Sequence, residues 1–220
     1  MSQGKSRKKL YLGIAFVIVF ILWTAAVRLI DVQPIGPAGS RVGFAALNGA
    51  FHELTGVHMV LYKLTDRLEL LAFCFVAGFA VLGLAQLVKR KSLLKVDADI
   101  LLLGGFYIVV LAAYFLFELL AVNYRPVLIE GVLEASYPSS TTMLVLCVMP
   151  TAVMQLRERL KNQRLKTAAV CVMIVFTAFV AVARLFSGVH WLTDIIGGAL
   201  LSAGLVLLYA GAAAFFAGRP

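Results

Sequence analysis

The sequence predicts an all-α, polytopic membrane protein: a bundle of six transmembrane helices with a short interfacial helix between the first and second. Two observations carry that expectation. Hydrophobic residues make up 62% of the chain and charged residues only 14%, far from the balance of a water-soluble domain. The charges are also clustered, leaving six uncharged stretches at Tyr11–Val27, Leu70–Val88, Ile100–Phe117, Ala135–Leu156, Thr167–Ala183 and Ile195–Gly218. Each is about as long as a helix needs to cross roughly 30 Å of hydrocarbon. In lipid the backbone must satisfy its own hydrogen bonds, so continuous apolar runs read as helices, whereas barrel strands would alternate.

The first stretch follows a basic lead, "MSQGKSRKKL", in the manner of a signal peptide. No small-residue cleavage site follows, because "LWTAAVRLID" runs straight into Arg28, and a retained first helix is expected. The next connection opens with "DVQPIGPAGS", whose Pro and Gly break helix. Phe44, Leu47, Phe51 and Leu54 then recur at helical spacing before "TG", which predicts the short interfacial helix and places His52 and His58 near it. Gly197 and Gly198 in the sixth stretch suit close helix packing. Cys74, Cys147 and Cys171 all fall inside apolar spans at no metal-like spacing and read as packing residues. No repeat or linker divides the chain, so residues 1–220 are expected to form a single integral membrane domain.

A net charge of +9 invites a nucleic-acid reading, but the positions of the charges oppose it. Lys5, Arg7, Lys8 and Lys9 precede the first stretch. Lys89, Arg90, Lys91 and Lys95 follow the second. Arg157, Arg159, Lys161, Arg164 and Lys166 follow the fourth, and Arg219 follows the sixth. These are 14 of the 20 basic residues, all on alternate connections. The positive-inside rule makes that side cytoplasmic, with both termini inside. The basic excess then marks a membrane surface and not a nucleic-acid groove.

The other side carries the chemistry. "ARLFSGVHWLTD" gathers Arg184, His190 and Asp194, with five residues between the first two and three between the last two. On a helix His190 and Asp194 would share one face. An aspartate that fixes the imidazole tautomer leaves the other ring nitrogen free to attack. Arg125 and Arg184 have the forked geometry that holds phosphate. "YPSSTTM" supplies Ser139, Ser140 and Thr141 where a helix begins, and helix N-termini favour anions. Taken singly, each feature has a plainer reading: Trp191 as an interfacial aromatic, "PSSTT" as an N-cap. Together they predict a phosphate pocket with a histidine nucleophile.

These residues resemble the type-2 phosphatidic acid phosphatase superfamily of membrane lipid phosphatases. That signature has a Lys and, after six residues, Arg-Pro; then Pro-Ser-Gly-His; then Ser-Arg, five residues, His, three residues, Asp. Arg125-Pro126, Pro138-Ser139 and the Arg184, His190, Asp194 set match it. The resemblance implies hydrolysis of a membrane lipid phosphate through a phosphohistidine on His190, with Asp194 orienting the ring. Arg125, Arg184, Ser139, Ser140 and Thr141 would hold the phosphate.

Four positions depart from the signature: Glu118 stands for the Lys, Ser140 for the Gly, Thr141 for the second His and Ala183 for the Ser. The resemblance gives that second His the role of general acid, so the expected acid is absent. One explanation is a substrate whose leaving group needs little protonation, a prenyl diphosphate such as undecaprenyl diphosphate, rather than a phosphatidic acid-like lipid. Another is a substitute acid among Glu118, Glu130, Glu134, Tyr124, Tyr137, His52 and His58. A third is an inactive relative that binds or transports a lipid phosphate. No cofactor and no metal are implied, because the acidic residues do not cluster as ligands and arginines can neutralise phosphate. The expected partners are the bilayer and its lipid phosphate, at the extracytoplasmic face of a bacterial cytoplasmic membrane.

Overall fold

A computed structural model describes residues 2–217, and Gly218 and Arg219 of the sequence reading lie outside that range. The architecture is helical, as expected. Seven α-helices occupy the described residues: α1 Ser2–Leu29, α2 Ala45–Thr55, α3 Met59–Arg90, α4 Ala98–Leu120, α5 Ser140–Arg159, α6 Gln163–Phe186 and α7 Leu192–Ala217. Five of them (α1, α3, α4, α6 and α7) are long and apolar enough to cross a membrane. Helix α2 is the short helix expected between the first two spans.

The fourth uncharged stretch behaves differently from the other five. It lacks charge, but α5 carries Thr141, Thr142, Pro150, Thr151 and Gln155 within its 20 residues. Those polar groups are tolerable because α3, α4, α6 and α7 all pack against it. Thr151 bonds back to the Cys147 and Val148 carbonyls, and Gln155 donates to the Tyr209 hydroxyl at 2.9 Å. Residues 135–139, read from sequence as the start of this span, precede the helix as an irregular segment.

Helices α1 and α7 meet along a seam of glycines. A Cβ on Gly13 would lie 2.8 Å from the Leu208 side chain, one on Gly204 2.9 Å from Val17, and one on Gly211 2.7 Å from Leu10. Backbones approach this closely only where side chains are missing, the usual packing device in lipid. The opposite face of α1, with Ile14, Ile18 and Leu22, is exposed. Among the cysteines, Cys147 packs inside as expected, whereas Cys74 and Cys171 lie on the bundle's exterior.

The two ends of the bundle differ in chemistry. At one end the basic connections are fastened by Arg90–Asp97 at 2.7 Å and Arg159–Asp99 at 2.6 Å. At the other end residues 30–58, 121–139 and 187–191 converge. Asn48 ties this end together, donating to the Gly43 carbonyl at 2.7 Å and the Thr193 hydroxyl at 2.9 Å. It also accepts from the Thr193 N–H at 3.2 Å. The His58 N–H donates to the Ser187 carbonyl at 2.9 Å. Gly188, at φ +69°, abuts the Gly56 carbonyl so closely that a Cβ would lie 1.9 Å from it. That contact presses the α6–α7 turn against the α2–α3 turn, and only glycine fits there.

Candidate active site

Three segments bring the sequence-selected residues together. Arg184 stands in the last turn of α6, His190 in the turn that follows, and Asp194 in the first turn of α7. Arg125 comes from the connection after α4, where Tyr124 and Ala135 form an isolated antiparallel bridge. The Arg125 N–H donates to the Glu134 carbonyl at 3.0 Å, and the Ser136 N–H donates to the Asn123 carbonyl at 2.9 Å. This hairpin delivers Ser136 to His190 and runs on into α5 at Ser139–Ser140.

His190 is buried, and its two ring nitrogens are distinguished by their partners. Nδ1 lies 3.1 Å from the Ser136 carbonyl oxygen. A carbonyl only accepts, so Nδ1 carries the proton and Nε2 carries the lone pair. Nε2 in turn accepts from Arg125 Nη1 at 3.3 Å. Burial, then the Arg125 and Arg184 guanidiniums, hold the imidazole well below the ordinary histidine pKa. The ring is therefore neutral, with its unprotonated nitrogen facing the arginine side.

Asp194 is placed otherwise than the spacing suggests. Helix α7 starts at Leu192, so His190 precedes the helix and does not share its face with Asp194. The Asp194 Oδ2 lies 3.7 Å from His190 Nδ1, an ion-pair distance without a hydrogen bond. That oxygen accepts instead from the Trp191 backbone N–H at 2.9 Å, the reach-back of a capping box. Oδ1 accepts from Asn123 Nδ2 at 3.3 Å. The Ser136 carbonyl, invisible in a sequence pattern, is what orients the ring.

The arginines converge on Tyr62 of α3, which the sequence reading did not select. The Arg125 and Arg184 guanidinium carbons lie 5.7 and 4.8 Å from the same ring centroid. Arg184 is 1% exposed, and its Nη1 donates to Thr65 Oγ1 at 3.2 Å. Asp66 stands 3.9 Å from that nitrogen, while the buried Arg184 Nε has no hydrogen-bond partner. Arg125 forms an ion pair with Glu134 at 2.9 Å.

Ser139 is the N-cap of α5, so the helix begins within "YPSSTTM" and not at Ala135, where the uncharged stretch begins. The Ser139 N–H donates to the Asp194 carbonyl at 3.1 Å, and its hydroxyl accepts from Thr142 at 3.0 Å. Ser140 lines a narrow cleft with Glu118, Tyr114, Pro138, Met143 and His190. Thr141 is fully buried, and its hydroxyl donates to Glu69 Oε2 at 2.5 Å. Gly197 makes room for this region, since a Cβ there would meet the Tyr137 ring at 2.7 Å.

Of the remaining candidates, Tyr137 borders the His190 cleft and the histidines pack elsewhere. His52 packs on Trp191 with ring centroids 5.5 Å apart, and burial lowers its pKa. His58 precedes α3, with Nε2 2.9 Å from the Thr55 carbonyl. Trp191 is buried and is no interfacial aromatic: its indole N–H donates to the Tyr124 carbonyl at 2.7 Å. The Tyr137 hydroxyl shares a 2.7 Å hydrogen bond with Thr24 of α1, and burial raises its pKa.

Fold and site together define a polytopic helical membrane protein with a buried arginine–histidine cluster at one end of its bundle. Residues 70–215 match the model of the PAP2 superfamily, and the chain belongs to that superfamily. Its fold is similar to the crystal structure of the first transmembrane PAP2 type phosphatidylglycerolphosphate phosphatase from Bacillus subtilis, with a TM-score of 0.62 at 20% identity. The likeness covers 95% of this chain and 98% of that one. No curated protein matches the chain.

Proposed function

We propose that this protein hydrolyses a phosphate or diphosphate ester of a membrane lipid, with His190 as the nucleophile and without a metal ion. The observation that carries the reading is the neutral His190, whose lone-pair nitrogen sits 3.3 Å from Arg125. A phosphate held by Arg125 and the unpartnered Nε of Arg184 would present its phosphorus to that nitrogen. The first free N–H groups of α5, at Ser140 and Thr141, would add donors at the positive end of the helix dipole.

His190 Nε2 attacks phosphorus as the bond to the leaving oxygen breaks, giving a phosphohistidine. The imidazole becomes cationic as that bond forms, with Nδ1–H held by Ser136 and the Asp194 carboxylate 3.7 Å away. Water then attacks phosphorus, the P–N bond electrons return to the ring, and phosphate leaves. Membership in the superfamily and a fold similar to that of a membrane lipid phosphatase support hydrolysis of a lipid phosphate in general. The site end faces the extracytoplasmic side, because the basic connections collect at the opposite end of the bundle.

The test is phosphate release by purified protein in nanodiscs without added metal, on undecaprenyl diphosphate and phosphatidic acid, with H190A as control. Release that vanishes in H190A is the expected result. Release that persists in H190A refutes the mechanism. Binding of either lipid without any release would leave a lipid-phosphate binder or transporter.

A further inference from the structure

Cleavage of an alkyl phosphate ester needs a proton on the departing oxygen, and most acids near His190 are already committed. Glu134 pairs with Arg125 at 2.9 Å and, with its carboxylate on the water side, would move out to solvent when phosphate takes that arginine. The Tyr137 hydroxyl points to Thr24 on α1, and His58 Nε2 is spent on the Thr55 carbonyl. Glu118 lines the cleft beside His190 but is exposed and has no side-chain partner among the described residues to hold it there, Glu130 is exposed, and His52 lies behind Trp191. Glu69 differs from all of these. It is half-buried on α3, and its Oε2 takes the Thr141 hydroxyl at 2.5 Å in the first turn of α5. It also lies one helical turn from Thr65, which holds Arg184, and two turns from Tyr62, beneath both guanidiniums. Tyr62, Thr65 and Glu69 therefore line one face of α3 against the phosphate site, and Oε1 of Glu69 is free to carry a proton.

We propose that Glu69, held in place by Thr141, is the proton donor to the leaving group, and that it lets this protein cleave lipid phosphate monoesters. The inference rests on the phosphatase reading above. In the first step His190 Nε2 bonds to phosphorus, the ester P–O bond breaks, and its electron pair stays on the lipid oxygen. That oxygen takes the proton from Glu69 and departs as the lipid alcohol, leaving Glu69 as a carboxylate. In the second step water adds to phosphorus, the P–N bond breaks with its electron pair returning to the ring, the water's proton passes with the phosphate product to solvent, and Glu69 takes a proton back from solvent. In a diphosphate the departing group is a phosphate monoester, which leaves without help.

The experiment compares wild type, E69Q, T141V and H190A in nanodiscs on phosphatidic acid and undecaprenyl diphosphate, measuring kcat and KM for each. The Gln amide oxygen still accepts from Thr141, so E69Q keeps that contact and loses only the acid. Acid catalysis is typically worth about 10²–10⁴-fold, and E69Q should lose kcat on phosphatidic acid in that range. Its kcat on the diphosphate should fall less than about tenfold, with KM for both lipids within about threefold of wild type. T141V, which frees Glu69 without removing it, should shift the ratio of the two activities in the same direction. Equal losses on both lipids in E69Q, or a wild-type ratio in both variants, overturns the proposal. Wild-type protein that cleaves only the diphosphate, in a His190-dependent way, also overturns it while leaving the phosphatase reading intact. No His190-dependent release from either lipid removes that reading and this proposal together.

Discussion

Replacing Asp194 by Asn separates two roles that the site gives this carboxylate. Asp194 is fully buried and accepts from two donors, the Trp191 N–H at 2.9 Å and Asn123 Nδ2 at 3.3 Å. An Asn side chain has one oxygen, so it can keep the Trp191 bond only by turning its amide N–H toward the Asn123 amide. A buried donor left facing a donor costs about 1–3 kcal/mol of stability. The catalytic effect is separate and acts on charge. In the proposed mechanism the His190 ring, neutral at rest, becomes cationic as the bond to phosphorus forms. At the 3.7 Å separation, an ionised Asp194 and a full imidazolium interact by at most about 4 kcal/mol in an effective dielectric of about 20. A half-developed charge gives about 2 kcal/mol, so kcat should fall between about 30-fold and 10³-fold. Ser136 still holds Nδ1–H, so ring orientation and KM should change little. Steady-state phosphate release, with folding checked by thermal melting in the same nanodiscs, reads both effects. A folded D194N with kcat within threefold of wild type would falsify the electrostatic role and leave Asp194 as a helix cap.

Two further outcomes test the electrostatics and the orientation. Because burial and the arginines lower the His190 pKa, the ring should still be neutral at pH 6, below the ordinary histidine value of about 6.5. ¹⁵N NMR of histidine-labelled protein should show an Nδ1–H tautomer at that pH whose signal disappears in H190A, and an imidazolium there would contradict the derivation. The sign for stability follows: the unfolded chain binds the proton that folded His190 refuses, so this group's contribution is present above about pH 6.5 and declines as pH falls below it. Orientation is read by L54C at the end of α2, where the native side chain is 83% exposed, in a background lacking Cys74 and Cys171. A membrane-impermeant maleimide should label it from outside intact cells, and labelling only after permeabilisation would place the site end in the cytoplasm.

The helices were legible because charge is costly in hydrocarbon, so charge-free runs mark them. The same rule hid their ends. Cutting the second span at Leu70 discarded Tyr62, Thr65 and Glu69, although α3 begins at Met59 and carries them into the site. Their spacing of three and four residues was a signal that could have recovered them, had the span been extended to the preceding turn signal. Arg125, Arg184 and His190 were legible because cationic and titratable groups are rare in such a chain. The Ser136 carbonyl was not, because backbone acceptors have no sequence signature. Nor was the length of α7: His190 and Asp194 have helical spacing, yet the helix starts between them. Pattern alone does not distinguish an aspartate that faces a histidine along a helix from one that caps the helix.

The acidic residues around the arginines also bear on how an anion could enter. Two guanidiniums share the Tyr62 ring, and their mutual repulsion is relieved at rest by Glu134 on Arg125 and by Asp66 near Arg184. Both carboxylates are partly exposed, with side-chain exposures of 38% for Glu134 and 54% for Asp66. The arginines themselves are buried, with side-chain exposures of 10% and 1%, so only the carboxylate side of each pair opens to water. A doubly charged phosphate forked by both arginines forms stronger bonds than either carboxylate, and it also satisfies the Arg184 Nε that the protein leaves without a partner. On the proposed reading, Glu134 and Asp66 are counter-ions that a phosphate would replace. Glu69 also acts electrostatically on Arg184, but its Oε2 takes the buried Thr141 hydroxyl, which anchors it when the arginine turns to phosphate. An arriving phosphate would displace the first two acids and leave the third beside it, where a proton donor is needed.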